Sequence, residues 1–276
     1  MAGERQVAIV TGAASGIGRA MTLGLLKAGI DVAAVDKEAA WLEELKAAAT
    51  AAKTPGTVVP VRADLTDSSA FDMVKSTVLG QCGRIDILVN NAGIGQGSVR
   101  PDFRTDPLKF WQISPEQWSR FVAVNATAPL LMARAVAPIM IRSRRGRIVT
   151  VTTSLGTMVR GGYTLYGASK AAAEAATAIM AEDLAGTGVT ANVLVPGGVT
   201  NTRIVPDGAG LDRARMLQPE IMAPPLLYLV SDEAAQINGR RFLAAHWDTT
   251  LPPAAAAEKC GAPIAWKSIA TMPIEP

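Results

Sequence analysis

Short runs of apolar residues alternate along the chain with longer segments whose apolar positions recur every three or four residues. Continuous apolar runs are typical of strands in a parallel sheet that is covered on both faces, and the longer period indicates helices. Strict alternation of the two patterns predicts an α/β fold with a doubly wound parallel sheet of about seven strands. The predicted strands are Val7–Thr11, Asp31–Val35, Thr57–Arg62, Ile85–Val89, Arg147–Thr152, Val189–Val195 and Arg241–Ala245, and the predicted helices are Gly16–Ala28, Glu38–Lys53, Ser69–Gln81, a long helix beginning at Ser114, Tyr166–Leu184 and Pro219–Val230.

The alternating pattern continues without a break to about residue 250, and no internal repeat is present. We therefore expect one domain over residues 1–250. Residues 251–276 are rich in Pro and Ala and are expected to form an irregular C-terminal tail. Trp266 and Ile269 are apolar anchors in that tail, which either docks on a neighbouring subunit or is a disordered end.

Composition narrows the class of protein. The 276 residues are 49% hydrophobic and 18% charged, the net charge is +3, and the longest basic block is residues 142–145. We therefore expect no nucleic-acid partner and no membrane span. Cys82 and Cys260 are too few for a disulfide framework, and the single histidine supports no metal site. The first strand begins within a few residues of the N-terminus, so we expect no signal peptide and a cytoplasmic location.

A glycine-rich turn joins the first predicted strand to the first predicted helix. Glycines permit a tight turn and let the backbone approach a pyrophosphate, which then binds at the N-terminus of the helix. Between a strand and a helix, such a turn predicts a dinucleotide site of the Rossmann type. The residues of the turn are Thr11-Gly12-Ala13-Ala14-Ser15-Gly16-Ile17-Gly18, with the glycine spacing G-x-x-x-G-x-G.

An acidic residue, Asp36, ends the second strand about 20 residues after this turn. A carboxylate at that place can accept both hydroxyls of an adenosine ribose, and it repels a 2′-phosphate. Ser15 supplies no cation for such a phosphate, which favours NAD. Lys37 is a cation and favours NADP. The balance of charges favours NAD as the cofactor, with NADP as the alternative.

Tyr166 and Lys170 lie four residues apart at the start of an Ala-rich helix, so they share one helix face. A free phenol loses its proton near pH 10, and a nearby cation lowers that pKa. The pair is therefore suited to transferring a proton to or from a substrate oxygen. Because the same spacing is common on helix surfaces, the pair gains its meaning only from the motifs that precede it.

Taken in order along the chain, these motifs and four others resemble the short-chain dehydrogenase/reductase family, in its single-domain branch. The resemblance runs from about Gln6 to about Trp247. It implies a Rossmann-type fold, hydride transfer between a nicotinamide cofactor and a secondary alcohol or ketone, and a homodimer or homotetramer. The four further motifs are Asp64-Leu65, Asn90-Asn91-Ala92-Gly93, Asn125 on a helix, and Pro196-Gly197.

The resemblance also implies a role for each matching residue. Tyr166 would donate or accept the proton, and Lys170 would hold the nicotinamide ribose and lower the pKa of Tyr166. Asn125 would help to keep a water in the proton relay. The cofactor-binding residues that the resemblance implies are Gly12, Ser15, Gly16, Ile17, Gly18, Asp36, Asp64, Leu65, Asn91, Ala92, Gly93, Tyr166, Lys170, Pro196, Gly197 and Val199.

One catalytic position departs from the family pattern. The serine expected thirteen residues before Tyr166 is replaced by Thr153, and Ser154 follows it. Thr offers the same hydroxyl donor and acceptor as Ser. Adjacent side chains on a strand point in opposite directions, so only one of the two is expected to face the substrate carbonyl. We favour Thr153, with Ser154 as the alternative.

A second departure follows Pro196-Gly197. Asn201 stands where the family often has a threonine near the nicotinamide carboxamide, and it is flanked by Thr200 and Thr202. Each of the three side chains can hydrogen-bond an amide, so the assignment stays open.

Two longer segments are expected on the substrate side of the site. Residues 94–115 carry Phe103, Phe110 and Trp111, which either line an apolar pocket mouth or pack as a surface insertion. The segment Arg203–Leu217 contains two glycines and has the composition of a mobile lid.

Other classes of protein share part of the pattern. A protein that binds a dinucleotide without catalysis would keep the glycine turn but would not need Tyr166 or Lys170, and neither would a methyltransferase on a similar sheet. Among enzymes, the alternative is an NADP-linked carbonyl reductase. Many alcohols and ketones are compatible with this scaffold, because the fold does not define the substrate.

Overall fold

The computed structural model describes residues 5–207 and 210–269, and its strands form one sheet. In these residues the sheet order is β3-β2-β1-β4-β5-β6-β7-β8, with β1 to β7 parallel and β8 antiparallel to β7. The predicted doubly wound α/β fold is therefore confirmed, with one strand more than the seven expected. The strands are β1 (Val7–Thr11), β2 (Asp31–Asp36), β3 (Val58–Arg62), β4 (Ile87–Asn90), β5 (Gly146–Val151), β6 (Val189–Val195), β7 (Arg240–Leu243) and β8 (Gly261–Pro263).

Helices cover both faces of the sheet. Alternate residues of β1 point to opposite faces of the sheet. Ala8 and Val10 pack with the helices at residues 16–27, 39–51 and 223–230, whereas Val7 and Ile9 pack with those at residues 70–82 and 128–142. Both sets are fully buried, which explains the continuous apolar strands. The helices are α1 (Gly16–Lys27), α2 (Ala39–Ala51), α3 (Ala70–Cys82), α4 (Pro115–Val122), α5 (Ala128–Arg142), α6 (Leu155–Met158), α7 (Thr164–Asp183), α8 (Ala223–Val230) and α9 (Pro253–Cys260).

The continuous helical stretch Pro115–Arg142 is long and apolar enough, by length and composition alone, to cross a membrane. The second half of this stretch packs on the sheet, where Met132, Val136 and Met140 are fully buried. Burial of one apolar face in this way is the usual reason for such a sequence in an α/β domain.

The C-terminal segment corrects one expectation. Instead of an irregular tail, residues 253–263 form α9 and β8, which extends the sheet beyond β7. Ile264 and Ala265 are then buried against Ala178 and the end of β6, with Trp266 packed beside them. Of the two expected apolar anchors, Trp266 thus packs on its own domain, because β7 offered an edge with which β8 could pair. Ile269 is 78% exposed, and residues 270–276 lie outside the described part of the chain.

Candidate active site

A cleft of about 360 Å³ opens where the parallel strands end. Gly12, Asn91, Thr152 and Pro196 line it, and they directly follow β1, β4, β5 and β6 respectively. Carboxyl ends of parallel strands meet at one edge of the sheet, and ligands of doubly wound folds bind there. Segments that are far apart in the chain are therefore combined in one site.

The glycine turn is shaped for the close approach of a ligand. Gly12 adopts φ +62°, and a Cβ on Gly18 would lie 2.0 Å from the carbonyl oxygen of Gly12. Asn91 holds the turn, because its Nδ2 donates to the carbonyl oxygens of Thr11 at 2.9 Å and of Gly12 at 3.2 Å. The predicted residues that line the cleft here are Gly12, Ser15, Gly16, Ile17, Gly18, Asn91, Ala92 and Gly93.

Asp36, the acid that the sequence predicts to bind the adenosine ribose, lies against the glycine turn but outside the lining of the cleft. This carboxylate is only 9% exposed and accepts the N–H of Ala14 at 3.1 Å and the N–H of Glu38 at 3.3 Å. It is thereby held against the glycine turn. Lys37 and Arg62 line a second, small cavity together with Glu38 and Asp64, so cations are also present there, beside two carboxylates.

Asp64 and Leu65 lie outside the lining of the main cleft. The Asp64 carboxylate accepts the N–H and the hydroxyl of Thr66, at 2.9 and 2.8 Å, and these hydrogen bonds lower its pKa. Asp64 lines the small cavity beside Lys37, and Leu65 packs partly on the core.

The first turns of α7 carry the tyrosine and the lysine to the inner end of the cleft. Lys170 is 4% exposed, and its Nζ donates to the carbonyl oxygen of Val151 at 2.9 Å. Burial lowers the pKa of Lys170 to about 8. Burial also raises the pKa of Tyr166, an effect that a hydrogen bond from Thr153 opposes. The pKa of Tyr166 is thus shifted upward, opposite to the direction expected from Lys170 alone.

The structure separates the two candidate hydroxyls. Thr153 hydrogen-bonds the phenol of Tyr166. Ser154 begins α6, and its Oγ lies 2.7 Å from Oγ1 of Thr157. Both residues line the cleft, but of the two it is Thr153 whose hydroxyl acts on the phenol of Tyr166.

Asn125 lies in a π-helical turn, residues 123–127, between α4 and α5. Its Oδ1 accepts the N–H of Ile94 at 2.9 Å, and its Nδ2 donates to the carbonyl oxygen of Ile94 and to Oγ of Ser169. Wider turns of this kind often occur at functional sites. The amide side chain ties the segment after Gly93 to α7, close to Lys170.

The turn after β6 closes the cleft. Pro196, Gly197 and Val199 line it as expected, and so do Thr200 and Thr202. Asn201 instead hydrogen-bonds Gln218 and Arg213, at 3.1 and 2.9 Å. The open assignment therefore narrows to the two threonines, because only their positions reach the cleft.

The mouth of the cleft is aromatic and basic. Phe103 and Tyr163 form an edge-to-face pair at 5.9 Å, and Arg160 lies over the ring of Tyr163 at 5.1 Å. Arg104 and Arg203 also line the cleft, and the described lining contains no Asp or Glu.

The two other aromatics of the long segment have a different place. Phe110 and Trp111 pack on each other and are 67% and 70% exposed, outside the lining of the cleft. Of the three aromatics considered from the sequence, only Phe103 reaches the pocket mouth.

The sequence pattern did not single out a buried ion pair behind the site. Nε of Arg241 on β7 lies 2.8 Å from Oε1 of Glu174 on α7. A sequence signal existed for Glu174, which is a charge within an Ala-rich run, but not for Arg241, which follows another arginine on β7. Neither residue could be connected to the site until the sheet placed β7 beside β6.

Comparisons with known proteins agree with this geometry. The family model for short chain dehydrogenases matches residues 6–208. A 3-oxoacyl-(acyl-carrier-protein) reductase FabG from Thermotoga maritima is 34% identical over 245 residues, which are 86% of this chain and 95% of that protein.

Two solved structures are similar throughout most of the chain. One is a 3-ketoacyl-(acyl-carrier-protein) reductase from Brucella melitensis complexed with NADH, with 28% identity, a TM-score of 0.74, and coverage of 87% of this chain and 96% of that one. The other is a metagenomic short-chain oxidoreductase in complex with NADP, with 29% identity, a TM-score of 0.68, and coverage of 82% and 90%. The family model, the relative and the two similar structures lead to the same conclusion: this chain belongs to the short chain dehydrogenase family.

Proposed function

We propose that the protein is an NAD-dependent oxidoreductase that moves hydride between a secondary alcohol or ketone and nicotinamide, with Tyr166 as the acid and base. The observation that carries the proposal is that Thr153, Tyr166 and the buried Lys170 line one cleft together with the glycine turn. A protein that only binds dinucleotide has no need for a hydroxyl, a phenol and a buried ammonium in one place.

The residues of the cleft fit a dinucleotide. A side chain on Gly18 would clash with Gly12, and α1 begins at Gly16 within the same turn, as a pyrophosphate site requires. When bound, the nicotinamide supplies a hydride acceptor or donor at its C4. Thr153 would orient the substrate oxygen, and Tyr166 would take the hydroxyl proton as the phenolate during oxidation and return it as the phenol during reduction.

The choice of NAD rests on Asp36. Its buried carboxylate ends β2, and an acid at that place of a dinucleotide-binding fold repels a 2′-phosphate. The runner-up is an NADP-linked carbonyl reductase, which Lys37 and Arg62 favour because they supply nearby positive charge.

The mouth of the cleft favours a substrate with a negative charge. Arg104, Arg160 and Arg203 line the cleft, and no carboxylate of the described lining opposes them. Phe103 and Tyr163 add apolar surface beside the arginines. An apolar alcohol or ketone that bears a carboxylate or phosphate complements both features.

A screen of secondary alcohols with NAD, and of ketones with NADH and NADPH, tests the proposal through the absorbance of the reduced cofactor. We expect NAD-linked oxidation in the native protein and a loss of at least about 100-fold in Tyr166→Phe, with NAD binding retained. Full activity of Tyr166→Phe would refute the role of the phenol. Binding of NAD without turnover of any substrate would favour a non-catalytic protein.

We further propose a homodimer or homotetramer with a cytoplasmic location and small-molecule substrates. The family supports an assembly, because related enzymes of this kind are typically oligomeric. Light scattering of the purified chain measures its mass directly, and a single 28.7 kDa species would contradict the proposed assembly.

A further inference from the structure

The ion pair between Arg241 and Glu174 is withdrawn from water. The exposed fractions of the two side chains are 6% and 0%, and the Nε–Oε1 distance is 2.8 Å. Burying two charges costs several kcal/mol of desolvation each, which their attraction does not reliably offset. Apolar residues of similar volume would serve stability equally well at this place.

Both partners also hold the main chain that carries the candidate catalytic hydroxyl. Nη2 of Arg241 donates to the carbonyl oxygen of Thr153 at 3.1 Å. Oε2 of Glu174 accepts the hydroxyl of Thr152 at 2.5 Å. Two consecutive residues after β5 are therefore connected to the same ion pair.

The pair connects the elements whose relative position determines the site. Thr153 follows β5, and Tyr166 and Lys170 lie on α7, eight and four residues before Glu174 along the same helix. A hydrogen bond between Thr153 and Tyr166 requires the end of β5 and α7 to be held at a constant distance. Arg241 on β7 and Glu174 on α7 bridge those parts through Thr152 and Thr153.

The C-terminal segment completes the arrangement. The N–H of Ala265 donates to Oε1 of Glu174 at 3.2 Å, so this carboxylate accepts three hydrogen bonds, from Ala265, Arg241 and Thr152. A carboxylate with such partners is held in one orientation, since each of its oxygens is engaged.

We propose that Arg241 and Glu174 are positioning residues, which hold Thr153 so that its hydroxyl meets both Tyr166 and the substrate oxygen. The proposal rests on the proposed function, because Thr153 acts on a substrate only if the chain is an oxidoreductase. A displacement of about 1 Å at a reacting group can reduce turnover by about 100-fold.

Arg241→Lys is the central variant. A lysine can reach Glu174, but its single ammonium lacks the planar fork that also reaches the carbonyl oxygen of Thr153. We expect kcat to fall about 10- to 100-fold, with the Kd for NAD unchanged and the melting temperature close to that of the native protein. Arg240→Lys is the matched control, because this neighbour on β7 pairs with the exposed Glu258 and should keep kcat.

A double-mutant cycle shows whether Arg241 acts through Thr153. Arg241→Lys should cost little in a Thr153→Ala background, because the hydroxyl that it positions is already absent. Equal losses of kcat in the two backgrounds would overturn the proposal, as would unchanged kcat in both Arg241→Lys and Glu174→Gln.

A readout without turnover separates this proposal from the proposed function. The methyl resonance of Thr153, observed by NMR on methyl-labelled threonine, should shift in Arg241→Lys and in Glu174→Gln but not in Arg240→Lys. If the Thr153 resonance shifts in the two variants but the native protein oxidises no alcohol, the proposed function is contradicted, whereas the positioning of Thr153 by Arg241 and Glu174 is supported. Normal turnover with an unchanged Thr153 resonance would contradict the positioning role alone.

Discussion

Nζ of Lys170 lies 2.9 Å from the carbonyl oxygen of Val151, at a place where the lysine side chain is almost fully buried. A buried ammonium with one carbonyl acceptor is poorly compensated for the water that it has lost, and its pKa is lowered to about 8. The site thus retains a charge that weakens the fold near neutral pH, which is a common sign of function.

Lys170→Met should therefore stabilise the protein at neutral pH, by roughly 1 to 3 kcal/mol after the lost hydrogen bond is included. The pKa of Lys170 is about 8 in the fold against 10.5 for the ordinary group. Between these values only the unfolded state binds the proton, so the native protein gains stability as pH rises and the difference between the two proteins shrinks. Urea unfolding of the native protein and of Lys170→Met at several pH values measures this difference in free energy of unfolding. A difference that does not change with pH would contradict the prediction. Turnover should be lost in the variant.

Thr153 should be the hydroxyl that serves catalysis. We expect Thr153→Ala to lower kcat/KM about 100-fold, whereas Ser154→Ala changes it by about threefold or less, because Ser154 bonds Thr157 instead of Tyr166. Thr153→Ser keeps the hydroxyl and should retain most activity. Steady-state kinetics on one secondary alcohol compares the variants. A larger loss of kcat/KM in Ser154→Ala than in Thr153→Ala would make Ser154 the catalytic residue.

Asp36→Ala should shift the cofactor preference. We expect the affinity for NAD to fall about tenfold, because the ribose hydroxyls lose their acceptor, and the affinity for NADP to rise, because a repelling charge is gone. Asp67→Ala is the control, since its carboxylate bonds Ser69 outside both cavities and should leave the preference unchanged. Fluorescence titration with NADH and NADPH gives both constants, and tighter NADPH binding by the native protein would refute the NAD assignment.

Arg160 should distinguish charged from neutral substrates. We expect Arg160→Gln to reduce kcat/KM for a hydroxy acid about five- to tenfold and to leave kcat/KM for its methyl ester unchanged. Arg104→Gln should act in the same direction. Arg215→Gln, an exposed position outside the cleft lining, is the control. Equal losses of kcat/KM for the acid and the ester in Arg160→Gln would show that Arg160 does not recognise the negative charge of the substrate.

Local pattern was sufficient for most of the sheet. Apolar runs and glycine turns predicted β1, β2 and β6 to within one residue, because the side-chain periods of strand and helix are properties of the local backbone. Strand β4 begins two residues later than expected, since Asp86 uses its carboxylate to bind the N–H of Val7 before the strand.

The C-terminal segment shows where local pattern failed. Pro, Ala and Gly in residues 253–263 gave no strand signal, and β8 exists only because β7 presents a free edge at the right distance. Pairing of that kind depends on a partner elsewhere in the chain, which propensity does not encode.

For the site, the sequence by itself determined which residue types are available: the glycine turn, Asp36, the Tyr166 and Lys170 pair, and two adjacent hydroxyls. Only the tertiary structure decided that Thr153 meets Tyr166, and that Arg241 and Glu174 lie buried behind them. The physical reason is distance along the chain. Spacing within one helix or turn defines neighbours directly, whereas contacts between β5, α7 and β7 arise only after the whole sheet has packed.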